Sequence, residues 1–307
     1  MARRGHSPGA ARRMKETAGD RAVHTVTIAI LAFFSLSVAY PLIYVLSSSF
    51  SSADAINSGA VRLLPVDANV DAYQTILDSS FLMVGLRNSI LYAVGGALLG
   101  TALTLLAGYA LSRADLPFRR FLTFFFLIPT LLTAGIIPTY MVVRQLGLLD
   151  TPWAVILPGA MSVFNMIITR TFYQITVPRE LLEAARMDGA NDLQFFVRMA
   201  LPLSKSIIAV NMLFYGIAQW NGWFNAFLYL SDPALHPLQL VLREILAQSS
   251  VDPSQLGGGD VTEIIRRKEL FDRLKYAVIV VAMIPPLLVY PLVQRHFVKG
   301  ALIGSLK

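Results

Sequence analysis

Residues 88–112 read NSILYAVGGALLGTALTLLAGYALS, twenty-five consecutive positions without Asp, Glu, Lys or Arg. A helix needs about 20 apolar residues to cross the hydrocarbon core of a bilayer, so this stretch is long enough to span one. Outward from it, five more charge-free windows follow the same rule: 22–53, 121–143, 151–169, 206–231 and 276–294. All 45 charged residues sit in the remaining 163 positions, a density of about 28%, close to the roughly 25% of ordinary soluble domains. This segregation predicts an all-α polytopic membrane protein with six transmembrane helices. The spans fall near 23–46, 89–111, 121–143, 152–170, 206–230 and 276–294. They form one domain over 22–296, preceded by a basic arm at 1–21 and followed by a short tail at 297–307. A soluble enzyme, a nucleic-acid binder and a disordered scaffold are all poor fits, despite the net charge of +7.

The basic residues fix an orientation. With six spans drawn, 17 of the 26 Lys and Arg fall on the side of the two termini and nine on the other. Cytoplasmic loops carry the excess of Lys and Arg, so both termini are expected in the cytoplasm of a bacterial cell, with the chain in its inner membrane. The 231–275 loop holds six bases, but seven acids match them, and long loops weigh less in this rule. The apolar run after the basic arm is much longer than a signal-peptide core and reads as an uncleaved first span. The arm itself is expected on the anionic lipid surface.

Several chemistries are missing. There is no cysteine, hence no thiolate catalyst, disulfide or sulfur metal site. The spans contain no paired carboxylates and no proton-relay charges. Their single imidazole, His24, lies at the mouth of the first span. No phosphate-binding GxxxxGK[ST] loop occurs, so the chain does not bind ATP in that way. A transported solute would draw its energy from another subunit, and the chain itself is not expected to be an enzyme. In the second span, Gly96 and Gly100 have the spacing that lets helices approach closely, expected here to serve packing within the chain. Prolines 129, 138, 285, 286 and 291 are expected to kink the third and sixth spans.

The longest loop on the terminal side, 170–205, has the pattern helix, glycine, helix. Pro178 suits a first helical position, Glu180 suits the positive helix end, and Gly189 suits the residue just past a helix. A second helix can begin near Asn191 and Asp192. Leu193, Phe196, Val197 and Ala200 then form one apolar stripe, and Pro202 ends the helix. The product is a compact elbow over 178–202, fit either for a groove on a partner or for the lipid surface.

This segment carries a resemblance. Glu183-Ala184-Ala185, three residues, Gly189, nine residues, Met199, Ala200, Leu201-Pro202 resembles the EAA signature of ABC importer membrane subunits, with Met199 in place of the usual Ile. Ile128-Pro129, Ile137-Pro138-Thr139-Tyr140, Leu146 to Asp150 and Gln294 to Gly300 look like the sugar-importer branch of that family. The chain is similar there to the second permease of the maltose importer and to oligosaccharide permeases.

The resemblance implies a type I ABC importer permease fold. It implies a function as the membrane-spanning subunit of an ATP-driven importer for a carbohydrate, specifically an oligosaccharide; the alternative is an ABC importer for another solute. The expected partners are a homologous second permease, an ATPase dimer that binds ATP and Mg, an extracytoplasmic sugar-binding protein, the oligosaccharide and membrane lipid, with no nucleic acid. The chain holds no cofactor of its own. ATPase coupling falls on Glu183, Ala184, Ala185 and Gly189, with Arg179 and Arg186 as charged contacts. The loop at 232–274, with Gly257 to Gly259 at its tip, would meet the binding protein, and the tail at 297–307 would reach the ATPase. In the fifth span Asn211, Tyr215 and Gln219 recur at i, i+4, i+8, followed by Trp220 and Asn221. Amides and aromatic faces suit a sugar's hydroxyls and C–H faces, so these five are the candidate substrate contacts.

Overall fold

The computed structural model describes residues 18–132, 134–249, 271–272 and 274–291. The basic arm up to residue 17, the 251–270 loop tip with its three glycines, and the tail at 297–307 lie outside the described residues. The fold is all-α, with no strand among the described residues. Helix α1 is Ala18–Ser49, α2 Asp71–Asp78, α3 Ser80–Ser112, α4 Arg119–Leu131, α5 Ile136–Gln145, α6 Pro152–Ile156 and α7 Val163–Thr176. Then come α8 Arg179–Met187, α9 Asp192–Leu203, α10 Lys205–Asn221, α11 Phe224–Tyr229, α12 Leu238–Ser249 and α13 Leu274–Pro291.

Three of these, α1, α3 and α13, are long and apolar enough to cross a membrane alone. The other windows are each divided between shorter helices, and the chemistry of the breaks is local. Past α4 the chain reaches Gly135 with φ +86°, a backbone state that only glycine adopts cheaply. Between Pro152–Gly159 and α7 the axis bends by 55°, and Ser162 caps the new helix by accepting the Asn165 N–H. The fifth window breaks at Gly222 and resumes as α11. Between Asp71 and Val84 the chain forms two helices that meet at Ser79. That residue ends α2 and caps α3 through its hydroxyl.

Helix α3 is the centre. Its buried positions include Gly85, Ser89, Tyr92, Gly96, Gly100, Thr104, Gly108 and Leu111, a stripe at helical spacing made mostly of small or hydroxyl-bearing residues. Its large residues Leu91, Leu98 and Leu106 are exposed instead. A soluble helix does the reverse. Lipid tails are as apolar as leucine, so association here rests on close backbone approach and interhelical hydrogen bonds. A Cβ at Gly100 would lie 2.8 Å from the Ala160 carbonyl oxygen and 2.9 Å from the Tyr215 ring; one at Gly108 would lie 2.8 Å from Thr169. The glycine pair therefore packs inside the subunit, against α7, α10 and the turn between α6 and α7.

Hydrogen bonds close the same seam. Thr104 Oγ1 and the Tyr215 hydroxyl are 2.6 Å apart, and that hydroxyl also accepts the Ser162 N–H at 2.9 Å. Asn211 Nδ2 donates to Thr169 Oγ1 at 2.8 Å. Trp220 Nε1 donates to the Ala282 carbonyl at 3.0 Å, tying α10 to α13. At the Ser80 end of α3, Asn88 Nδ2 donates to the carbonyls of Ala234 and His236, and Tyr92 to that of Leu235. Apolar packing of Ile76, Leu82, Val241, Ile245 and Val278 completes that end. Helix α1 stands apart, with Leu31, Phe33 and Leu36 each more than 60% exposed.

The seam makes a prediction. Gly100→Ala sets a methyl against a carbonyl oxygen that cannot move alone, and is expected to lower stability by about 1–3 kcal/mol, the scale of an overpacked site. Gly96→Ala meets the flexible Gln219 side chain instead and should cost less. Thermal unfolding of the detergent-solubilised protein checks the order; equal midpoints for the two variants would contradict it.

Candidate functional site

The elbow is two helices set by their caps. Pro178 occupies the N-cap of α8, one position before the first helical residue, and Glu180 lies in the first turn. At the other end Gly189 N–H bonds the Arg186 carbonyl at 3.0 Å and Ala190 N–H bonds that of Ala185 at 2.9 Å, the paired bonds of a Schellman ending. Gly189 has φ +83°, and a Cβ there would meet nothing within 4 Å. Asn191 and Gln194 then form a reciprocal capping box at the start of α9.

Helix α9 departs from its simple reading. Phe196–Ala200 widens into a π-turn, in which the Leu201 N–H reaches the Phe196 carbonyl five residues back. Pro202 has no N–H to continue the normal ladder, yet the helix runs on to Leu203. The buried face is only partly the expected one. Phe195, Phe196 and Ala200 are inside, while Leu193 and Val197, expected on the apolar stripe, are 69% and 50% exposed. At Ser204 the chain turns by 79° into α10.

The six elbow residues singled out in the sequence divide into two groups. Arg179, Glu183, Ala184 and Gly189 are exposed. Ala185 is buried with Leu105, Tyr173, Leu182, Phe195 and Ile207, so its small size seats α8 against the subunit's own helices. Arg186 is exposed too, but it is engaged within the chain. Its Nη2 bonds Asp115 at 2.9 Å and Asp192 at 3.2 Å. Arg113 bonds both Asp115 oxygens, at 3.0 and 2.8 Å, donates to the Tyr109 hydroxyl, and lies 3.5 Å from Asp192. Four charges thus tie both elbow arms to the loop after α3. Sequence reasoning missed Asp115 because it pairs with Arg186 across 71 positions, and no local pattern reports that.

At the opposite end of α10 lies a cavity of about 290 Å³, lined among others by Tyr215, Gln219, Asn221, Trp223 and Asn225. Of the five candidate contacts, Asn211, Tyr215 and Trp220 are buried, with their polar atoms taken up by the interhelical bonds above. Gln219 and Asn221 face the cavity. Gln219 makes only a long bond, 3.5 Å, to the Ile156 carbonyl. Among the described residues no cluster of His, Asp or Glu could hold a metal ion.

The charge cluster predicts a pH response. The Arg113 guanidinium, aided by Arg186, holds the Asp115 carboxyl well below the usual carboxylate range. A depressed folded pKa contributes stability that is present above the unfolded value, about 3.9, and is lost only as pH falls through the lower folded value. A spin label at Met187→Cys is therefore expected to keep constant mobility from pH 5 to pH 8. Adding Asp115→Asn should raise that mobility at every pH in the range. Equal mobility with and without the Asn substitution would show that the cluster does not hold the elbow.

Comparison with known proteins agrees with this arrangement. The family model described as binding-protein-dependent transport system inner membrane component matches residues 100–302. The chain is 41% identical to the polygalacturonan/rhamnogalacturonan transport system permease protein YtcP of Bacillus subtilis (strain 168), over 90% of this chain and 95% of that one. It is 37% identical to Protein LplC of the same organism, over 96% and 98%. A solved chain from a bacterial ABC transporter involved in the import of the acidic polysaccharide alginate superposes with a TM-score of 0.82 at 33% identity, covering 92% of this chain and 98% of that chain. A six-window helical chain, an EAA-like elbow and these relatives converge on one assignment: the protein belongs to the inner membrane components of binding-protein-dependent transport systems, the permease subunits of ABC importers.

Proposed function

We propose that this chain is one of two membrane subunits of an ATP-driven importer for an oligosaccharide. In this reading it pairs with a homologous permease, an ATPase dimer that binds ATP and Mg, and an extracytoplasmic sugar-binding protein. The elbow carries the proposal. Glu183, Ala184 and Gly189 form an exposed surface on a helix ending locked by paired backbone bonds, and open space lies above Gly189. Such a surface suits a cleft in the ATPase, with Arg179 as its free cation. Ala185 and Arg186 serve the joint by holding α8 to the helices behind it. The sugar reading rests on the names of the relatives and on the cavity, where Gln219 and Asn221 offer amide groups beside the Trp223 ring. Lipid and the second permease cover the apolar surface of α1 and of α4, which buries none of its own residues.

Substitution of Gly189 tests the coupling. A non-glycine residue in the left-handed region costs about 1–2 kcal/mol, and an Asp adds charge at the docking face. Gly189→Asp is expected to leave the protein in the membrane while uptake and ATPase recruitment fall at least tenfold. Gly189→Asn, which tolerates this conformation and adds no charge, should retain more of both. Wild-type uptake in the Asp variant would remove the elbow from the coupling path. Orientation is tested in this cysteine-free chain by single cysteines at the exposed positions Ser58 and Met187. An impermeant thiol reagent should label position 58 but not 187 in intact cells; the reverse pattern would place the elbow outside.

A further inference from the structure

The cavity at the Asn221 end of α10 is lined by amides and aromatic rings and by no charged residue. A cation nevertheless stands one ring removed from it, stacked on a lining residue. Trp223, whose side of the break at Gly222 lines the cavity, also carries the guanidinium of Arg243 from α12. The guanidinium carbon is 4.3 Å from the Trp223 ring centroid and 4.9 Å from that of Phe227. Trp223 and Phe227 are themselves 6.1 Å apart, so Arg243 sits on a two-ring platform.

Three observations say what this Arg has left to offer. It is exposed, on a helix whose inner face is fixed by Leu238, Val241 and Ile245 in the core. No carboxylate pairs with it among the described residues; the neighbouring Glu244 lies 3.5 Å from His236 instead. An arginine stacked on aromatic faces spends the flat surface of its guanidinium and leaves the N–H donors at its rim unspent. Those donors form a fork that matches a carboxylate, and charge-assisted bonds of this kind are about twice as strong as neutral ones. Neutral hydroxyls need no such group, because Gln219, Asn221 and Asn225 already supply amides.

We propose that Arg243, held on Trp223 and Phe227, is the recognition point for the carboxylate of an acidic oligosaccharide entering the outer cavity, a specificity that rests on the oligosaccharide reading above. The arrangement explains how a pathway with charge-free spans accepts an anionic sugar. The charge is met at the mouth by a base outside the spans, and the amide-lined cavity then handles the hydroxyls. The platform also sets a limit on substitution: a lysine keeps the charge but loses the flat stacking and the fork.

The test uses the complete importer, with both permeases, the ATPase and the binding protein, reconstituted in vesicles. The probes are trigalacturonate and its methyl ester, which share one sugar skeleton and differ in the carboxyl group, ionised in the first and neutral in the second. Arg243→Gln is expected to lower the ratio of acid to ester uptake about tenfold relative to wild type, with Arg243→Lys between the two. Because every vesicle contains the same binding protein, the change in ratio reports the permease. An unchanged ratio in the Gln variant overturns the assignment. So does an equal fall in uptake of both probes, which would make Arg243 a docking or assembly contact. If wild-type vesicles import neither probe while ATP hydrolysis is intact, the oligosaccharide reading itself falls, and the role of Arg243 falls with it.

Discussion

The contact on which the rest of the molecule depends is the approach of α3 to α7 and α10, at distances that exclude even a methyl group. At Gly100 the backbone of one helix faces the Ala160 carbonyl, and four residues later Thr104 meets the Tyr215 hydroxyl. Water is absent from the hydrocarbon core, so such groups must find partners in the protein. The consequence is an inverted helix, with small and polar residues inside and leucines outside. From this seam α10 gains its position, and from α10 the elbow and the cavity at the Asn221 end gain theirs.

The two ends of α10 present contrasting surfaces. At the Lys205 end, charge is abundant and mutually satisfied, with Arg113, Asp115, Arg186 and Asp192 in one cluster. Beside that cluster Arg179, Glu183, Ala184 and Gly189 are exposed. At the Asn221 end, amides and rings surround open space, and the Arg243 guanidinium, with no carboxylate partner among the described residues, stands on the rings. In the proposed reading the first end meets the ATPase and the second meets the solute. Asn211, Tyr215 and Trp220, between them, hold the helix in place with hydrogen bonds to three other segments.

Much of this was legible from the sequence, because membrane solvation writes itself into composition. Charge-free windows gave the number of crossings, and Gly189, Asn191 and Asp192 marked the elbow's caps. What escaped were features set by tertiary geometry. Of the periodic stripe Phe196 and Ala200 are buried, while Leu193 and Val197 are exposed and Phe195 takes the inner place, a choice made by the helices α9 packs against. The amides and rings of α10 share one spacing, yet only the fold decides which of them find carbonyl or hydroxyl partners. The reach of Asp115 to Arg186 and of Arg243 to Trp223 carries no local signature, since these pairs are 71 and 20 positions apart.

The 79° turn at Ser204 joins two rigid arms of unequal length. At 1.5 Å per residue, the 12 residues of α9 extend about 18 Å and the 17 of α10 about 26 Å. Two arms joined at nearly a right angle have the geometry of a bell crank, with an arm ratio of about 1.4. Were the pair to pivot as one piece about Ser204, about 3 Å at the tip of α9 would become roughly 4 Å at Asn221. That exceeds the length of a hydrogen bond, so on the proposed reading the elbow and the amides of the cavity would share one lever.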